Sequence, residues 1–229
     1  MKKLFISMGI ACLLAVPVCT SAQEVSPKDI MKQRKEIYKA SKAELNEKAT
    51  KAARKEAKKL QKEGWTPAPG ALPLEKQLDH SYLMQMEYDE NMYPKYLMGE
   101  AMSIGENYDG AKMQALELAK QNLAAQIQTE VSALIDNSVA TQQLAMEEAV
   151  TVTKSIMASK SLIVQSIGRT ITVVECYRTL KNKNKEVLVR IAYNGEMAKA
   201  AAKNAIRQSL ENESDELRNK LDNVLGSSK

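Results

Sequence analysis

The sequence predicts an α+β fold, with a small antiparallel sheet (strand, long helix, β-hairpin) packed on helices and a long N-terminal helical arm ahead of it. Three observations carry that expectation. Residues 109–137 repeat apolar side chains at helical spacing, and residues 169–193 alternate them with period two about a polar turn. Aromatic content is only 4%, with one Trp and one Phe, so the core must be built from Leu, Ile, Val, Met and Ala.

Met1–Ala22 reads as an export signal. Lys2 and Lys3 supply the positive start, Leu4–Val18 is almost wholly apolar, and Thr20-Ser21-Ala22 presents small residues where a signal peptidase cuts. The apolar run falls short of the roughly 20 residues that span a bilayer. Cleavage is therefore expected near Ala22–Gln23, leaving 207 of the 229 residues outside the bacterial cytoplasm, in the periplasm or at the outer membrane. Acylation of Cys19 is the alternative, but Val18 and Pro17 are poor residues ahead of a lipidated cysteine. Cys12 and Cys19 leave with the signal. Cys176 then stands alone, and no intramolecular disulfide staples the fold.

Residues 23–63 form the expected arm. Ser26 caps a single helix over Ser26–Glu63, Pro27 sits where its missing N–H costs nothing, Asp29 complements the macrodipole, and Gly64 stops the helix. Its apolar seam is thin: Ile30, Ile37, Leu45, Ala49, Ala52 and Leu60. Residues 27–63 hold 13 Lys/Arg against 6 Asp/Glu, a net +7, whereas residues 64–229 sum to −3. Such a split has two readings. One is a basic arm for an anionic envelope component, whether protein, lipid or cell-wall polymer; the other is a solvated helix steadied by Lys–Glu pairs. Nucleic acid fits least, because the cations are mostly Lys and only Tyr38 is interleaved among them.

Residues 64–92 read as a linker and a short helix. Gly64-Trp65-Thr66-Pro67-Ala68-Pro69-Gly70 is extended, with Trp65 pinning it to the domain surface; a stacking platform for a ligand is the sharper alternative. A helix over 73–89 places Leu74, Leu78, Tyr82, Gln85 and Met86 on one face and carries His80, the sole histidine, as a surface residue.

Residues 93–225 form the main domain. Tyr93–Ile104 is the first strand, with a bulge expected at Gly99, and Asp109 is expected to cap the long helix 109–137. Met113, Leu116, Ala119, Leu123, Ile127, Val131 and Leu134 mark that helix's buried stripe. A further helix covers about 141–159, although β-branched Val150, Val152 and Ile156 also suit strand. The hairpin pairs 169–180 with 185–193 about Lys181–Asn184, one face buried and the other wet. A final helix runs from Glu196 to Leu225.

The order of these elements, with Ala115, Leu118-Ala119 and Leu123-Ala124 inside Ala111–Val131 and then Val173–Leu180 and Val187–Ala192, resembles the LPP20-type bacterial lipoprotein domain. It is also similar to the N-terminal domain of periplasmic flagellar assembly proteins. The resemblance covers residues 93–194. It implies an antiparallel sheet wrapped on a long helix, in cell-envelope proteins without catalytic machinery, and it carries over no site residue.

One His and one remaining Cys make a metal site improbable, no glycine loop for phosphate occurs, and no cofactor is expected. Glu147-Glu148 and Asp89-Glu90 are adjacent and read as solvated charge. Cys176, beside Glu175 and Tyr177, reads as a small buried hydrophobe; its nucleophilic alternative, an exported thiol hydrolase with His80 as base, has no local signature. The expectation is thus a non-enzymatic envelope protein with a binding or structural role, docking through the arm or an open sheet edge, with self-association open to it.

Overall fold

The computed structural model describes residues 26–90, 92–210 and 215–226. The expected signal, its cleavage point and Cys19 lie outside the described residues. The chain divides into two compact units, Met1–Glu47 and Lys48–Lys229.

In the first unit, helix α1 (Pro27–Asn46) starts at Ser26, whose hydroxyl accepts the Lys28 N–H. Ile30, Ile37 and Leu45, half of the expected seam, are all exposed.

The single helix expected over Ser26–Glu63 is broken. Glu47 is extended, and α2 (Lys51–Lys62) begins anew at Thr50, whose Oγ1 accepts the Ala53 N–H at 3.3 Å. Thr50 donates its own N–H to Asp79 Oδ1 at 3.0 Å. No glycine or proline marks this break in the sequence. It is made by a side chain about thirty residues away, which competes for a backbone donor that helix continuation would have used. The arm expected over 23–63 therefore divides, and residues 48–63 belong to the second unit.

Gly64 ends α2 at φ +90°, where a Cβ would be strained, and turns the chain so that Trp65 N–H reaches the Leu60 carbonyl. The expected linker then becomes structure. β1 (Thr66–Pro67) is a two-residue edge strand, a place where proline is tolerated. α3 (Leu74–Gln85) follows, shorter than expected and rotated, with Leu74, Gln77, Leu78, Ser81 and Met84 buried while Gln85 and Met86 face out.

β2 (Tyr96–Gly105) leads into α4 (Tyr108–Ala140), the longest helix. Its cap is Asn107, which accepts the Gly110 N–H, and not Asp109, which sits in the first turn. The buried stripe runs Ala111, Ala115, Ala119, Leu123, Ile127, Val131 and Ile135; Met113 is exposed. The expected stripe drifts off it at both ends, because it was anchored on the large side chains while the closest packing uses alanines. Residues 141–159 yield α5 (Met146–Ala158), continued by α6 (Lys160–Ser166), so the β-branched residues here are helical.

The hairpin forms as expected from β3 (Ile171–Thr179) and β4 (Lys185–Asn194), and α7 (Gly195–Ser209) and α8 (Asp215–Val224) replace the single final helix. The sheet is antiparallel throughout, in the order β1-β3-β4-β2. The fold is α+β, as its periodicities predict.

No bulge occurs at Gly99, since β2 pairs with β4 in unbroken register from Tyr96↔Asn194 to Gly105↔Lys185. Gly99 serves close approach instead, with a Cβ there falling 2.2 Å from the Ala119 carbonyl oxygen. The bulge lies in β3, between Thr172 and Val174. It turns Val173 and Val174 to the same side of the sheet.

Both faces of the hairpin are covered, which overturns the expected wet face. Val187, Val189 and Ile191 point into the main core with α4, α5, α6, α7 and α8. On the opposite face Val174 and Cys176 are sealed by Trp65, Leu74, Leu78, Ala53 and Ala57 from the α2–α3 layer. Arg190, on that second face, pairs with Glu100 and donates to Ser81 Oγ at 2.8 Å beneath α3. Gln77 of α3 accepts the Glu175 N–H at 2.7 Å, satisfying a strand donor beside short β1.

Candidate anion-binding groove

The α2 sequence, Lys51-Ala-Ala-Arg-Lys-Glu-Ala-Lys-Lys-Leu-Gln-Lys62, has six cations and one carboxylate. Small residues at one-turn spacing (Ala49, Ala53, Ala57) let the helix lie close on α3 and bury that narrow stripe. Leu60 and Glu56 are half-buried beside that stripe, and the rest of the helix faces water. Lys51, Arg54, Lys55, Lys58, Lys59 and Lys62 are all exposed, and among the described residues none of them lies in an ion pair with a carboxylate. Six cations against the two carboxylates of Glu56 and Glu63 leave residues 51–63 strongly positive.

Lys55, Lys58, Lys59 and Lys62 line an open groove of about 830 Å³, shared with Glu56, Glu63, Leu60 and Tyr82. Tyr82 reaches across from α3 and donates its phenol to Glu56. Burial, then the hydrogen bond to Glu56 and its negative charge, push the Tyr82 hydroxyl up to about 12. The groove's end is held by Arg178, whose guanidinium stacks 4.7 Å above the Trp65 ring, pairs with Glu186 at 2.6 Å and donates to the Glu63 carbonyl at 3.3 Å. α2 is thus held at its start by Asp79 and at its end by Arg178. Its cations stand on a fixed scaffold.

The residues weighed from the sequence are placed as follows. Trp65 is 3% exposed and pins its segment to the sheet, so its ring offers no open platform for a ligand. His80 is exposed on α3. Cys176 is wholly buried in β3, and burial first, then the Glu100 charge, push its thiol up to about 12. Glu148 is not merely solvated: it accepts from Lys220 and, second, from the Ala145 N–H, which hold its carboxyl below the ordinary range. At the sheet edge, Asn122 of α4 already donates to the Glu100 carbonyl of β2 at 2.8 Å. Among the described residues, no cluster of three or more His, Cys, Asp or Glu is placed to hold a metal, and no helix is long and apolar enough to cross a membrane.

The second half of the groove was missed from sequence. Tyr82 reads there as a core position, and nothing local couples it to Glu56. The one available signal is the Ala49-Ala53-Ala57 spacing, which marks α2 as a packed helix and not a free arm.

The chain matches no protein-family model, no curated protein and no solved structure.

The Cys176 environment yields a testable consequence. An unfolded thiol ionises near its ordinary value of 9, while the folded one holds its proton to about 12. Between those values the native state binds a proton that the unfolded chain has released, so this contribution to stability is full below pH 9 and is lost as pH rises toward 12. Tyr82 acts in the same direction from its ordinary value of 10 upward. Urea melts at pH 8 and pH 11 should show the loss, and Cys176→Ala should lessen it. At pH 8 the native Cys176 should resist a thiol reagent that labels it at once in urea.

Proposed function

We propose that this chain is an exported, non-catalytic binding protein of the bacterial cell envelope that holds an anionic envelope component in the α2 groove. The observation that carries the reading is the set of four groove lysines, exposed, close together and, among the described residues, in no ion pair with a carboxylate, on a helix anchored at both ends. An excess of charge of one sign on a rigid concave surface raises the local concentration of the opposite ion and speeds its capture. The export signal and the likeness of residues 93–194 to LPP20-type domains support an envelope setting. A thiol hydrolase would need Cys176 to emerge from beneath Trp65 and α3 and to ionise near neutral pH, and its burial works against both.

The test is the variant Lys55→Gln/Lys58→Gln/Lys59→Gln/Lys62→Gln. A lysine near an anionic surface contributes about 1 kcal/mol, so the variant should bind dextran sulfate at 50 mM salt about 100-fold or more weakly. Its melting temperature should hardly change, because exposed side chains away from packing move stability little. Wild-type binding should weaken steeply with added salt. Equal binding by variant and wild type would remove the groove from the function.

A further inference from the structure

We infer that the α2 groove selects an anionic glycan over other polyanions. This rests on the anion-binding reading above and names the ligand class for the same groove. The lysines do not stand alone in it. Glu56 and Glu63 line the same wall, and the Tyr82 phenol fixes Glu56 in place.

Two carboxylates among four lysines are a liability for a chain that carries only closely spaced charge and no hydroxyls, such as polyphosphate, because some phosphate must always lie against a carboxylate. For an acidic polysaccharide the same carboxylates are acceptors. Lysines meet its carboxylate or phosphate groups, while Glu56 and Glu63 accept from the hydroxyls between them. The spacing agrees with this. Lys55 and Lys59, and likewise Lys58 and Lys62, are four residues apart, about 6 Å along the helix, of the order of one pyranose in a 1,4-linked chain. Leu60 and the Tyr82 ring give the groove apolar surface for the C–H face of a sugar.

A lipid bilayer suits the groove less well. It is flat where the site is concave, and none of the large exposed hydrophobic residues falls within 51–62, so α2 has no anchor to insert.

The experiment is calorimetric titration of the full chain with three probes: an alginate oligomer, inorganic polyphosphate of matched charge, and phosphatidylglycerol vesicles. Wild type should bind alginate about fivefold more tightly than polyphosphate, the worth of one net hydrogen bond. Glu56→Gln and Tyr82→Phe, each checked for an unchanged circular dichroism spectrum, should bring the two probes within about twofold. Lys55→Gln/Lys59→Gln should weaken both polymers by about 30-fold. Polyphosphate or vesicles binding as tightly as alginate to wild type, or a preference unchanged in both Glu56→Gln and Tyr82→Phe, overturns the glycan assignment and leaves anion binding standing. Failure of all three probes overturns both.

Discussion

Gly99→Ala is expected to destabilise the protein by about 3 kcal/mol, near the upper end for overpacking a core. The added Cβ would meet the Ala119 carbonyl oxygen at 2.2 Å and Leu123 Cβ at 2.8 Å, and the first of these is backbone inside α4. A flexible side chain could swing aside, but a helical carbonyl moves only with its helix. Leu123 and Ala119 are fully buried in the main core, so α4 cannot retreat without opening contacts along the stripe from Ala111 to Ile135. In a domain of this size the loss corresponds to a melting temperature lower by about 10 °C. Gly168→Ala is the control, because its Cβ would find only the Tyr193 hydroxyl, at 4.0 Å. Equal melting temperatures for Gly99→Ala and Gly168→Ala would mean that β2 and α4 are not packed this closely.

Trp65→Ala is expected to cost about 3–5 kcal/mol, the range for emptying a large aromatic site. Its effect should also be uneven across the molecule. Trp65 joins Ala53, Ala57, Leu74 and Leu78 over Val174 and Cys176, and Arg178 rests on its outer face. Without the ring, Arg178 loses the surface that places it against the Glu63 carbonyl, and α2 loses its hold at that end. Hydrogen exchange should therefore rise most in residues 51–68 and least in α4. Binding to dextran sulfate should fall with it, although no lysine has changed. Protection spread evenly over both layers would show that α2 is held by something other than this cluster. As the only tryptophan in the chain, Trp65 also makes native fluorescence a direct report on the α2–α3 layer.

Much of the α+β frame was legible because its signals are local. Period two in β4 and helical period in 109–137 arise from which side chains one neighbouring surface must bury. What the local pattern could not reveal was a second surface. Leu188 and Arg190 read as outward residues of a half-wet strand until α3 is laid over them, with Ser81 and Glu100 supplying partners for the guanidinium. The break before Thr50 is of the same kind, since its decisive group, Asp79, belongs to another helix. Gly99 signalled that something unusual happens in β2, yet a bulge and a close approach leave the same letter in the sequence, and only the position of α4 separates them.

The candidate groove follows the same division. The excess of lysine in residues 27–63 is plain from composition alone. Which of those lysines stand together was decided in three dimensions, by the packing of Ala53 and Ala57 on α3 and by Tyr82 reaching Glu56. The amino-acid order by itself determined the class of fold, the succession of strand, long helix and hairpin, and the sign of the charge, because each depends on near neighbours in the chain. Tertiary structure alone decided where the basic helix breaks, which face of the sheet is sealed and what shares a groove with the lysines, because each depends on groups that meet only after the chain has folded.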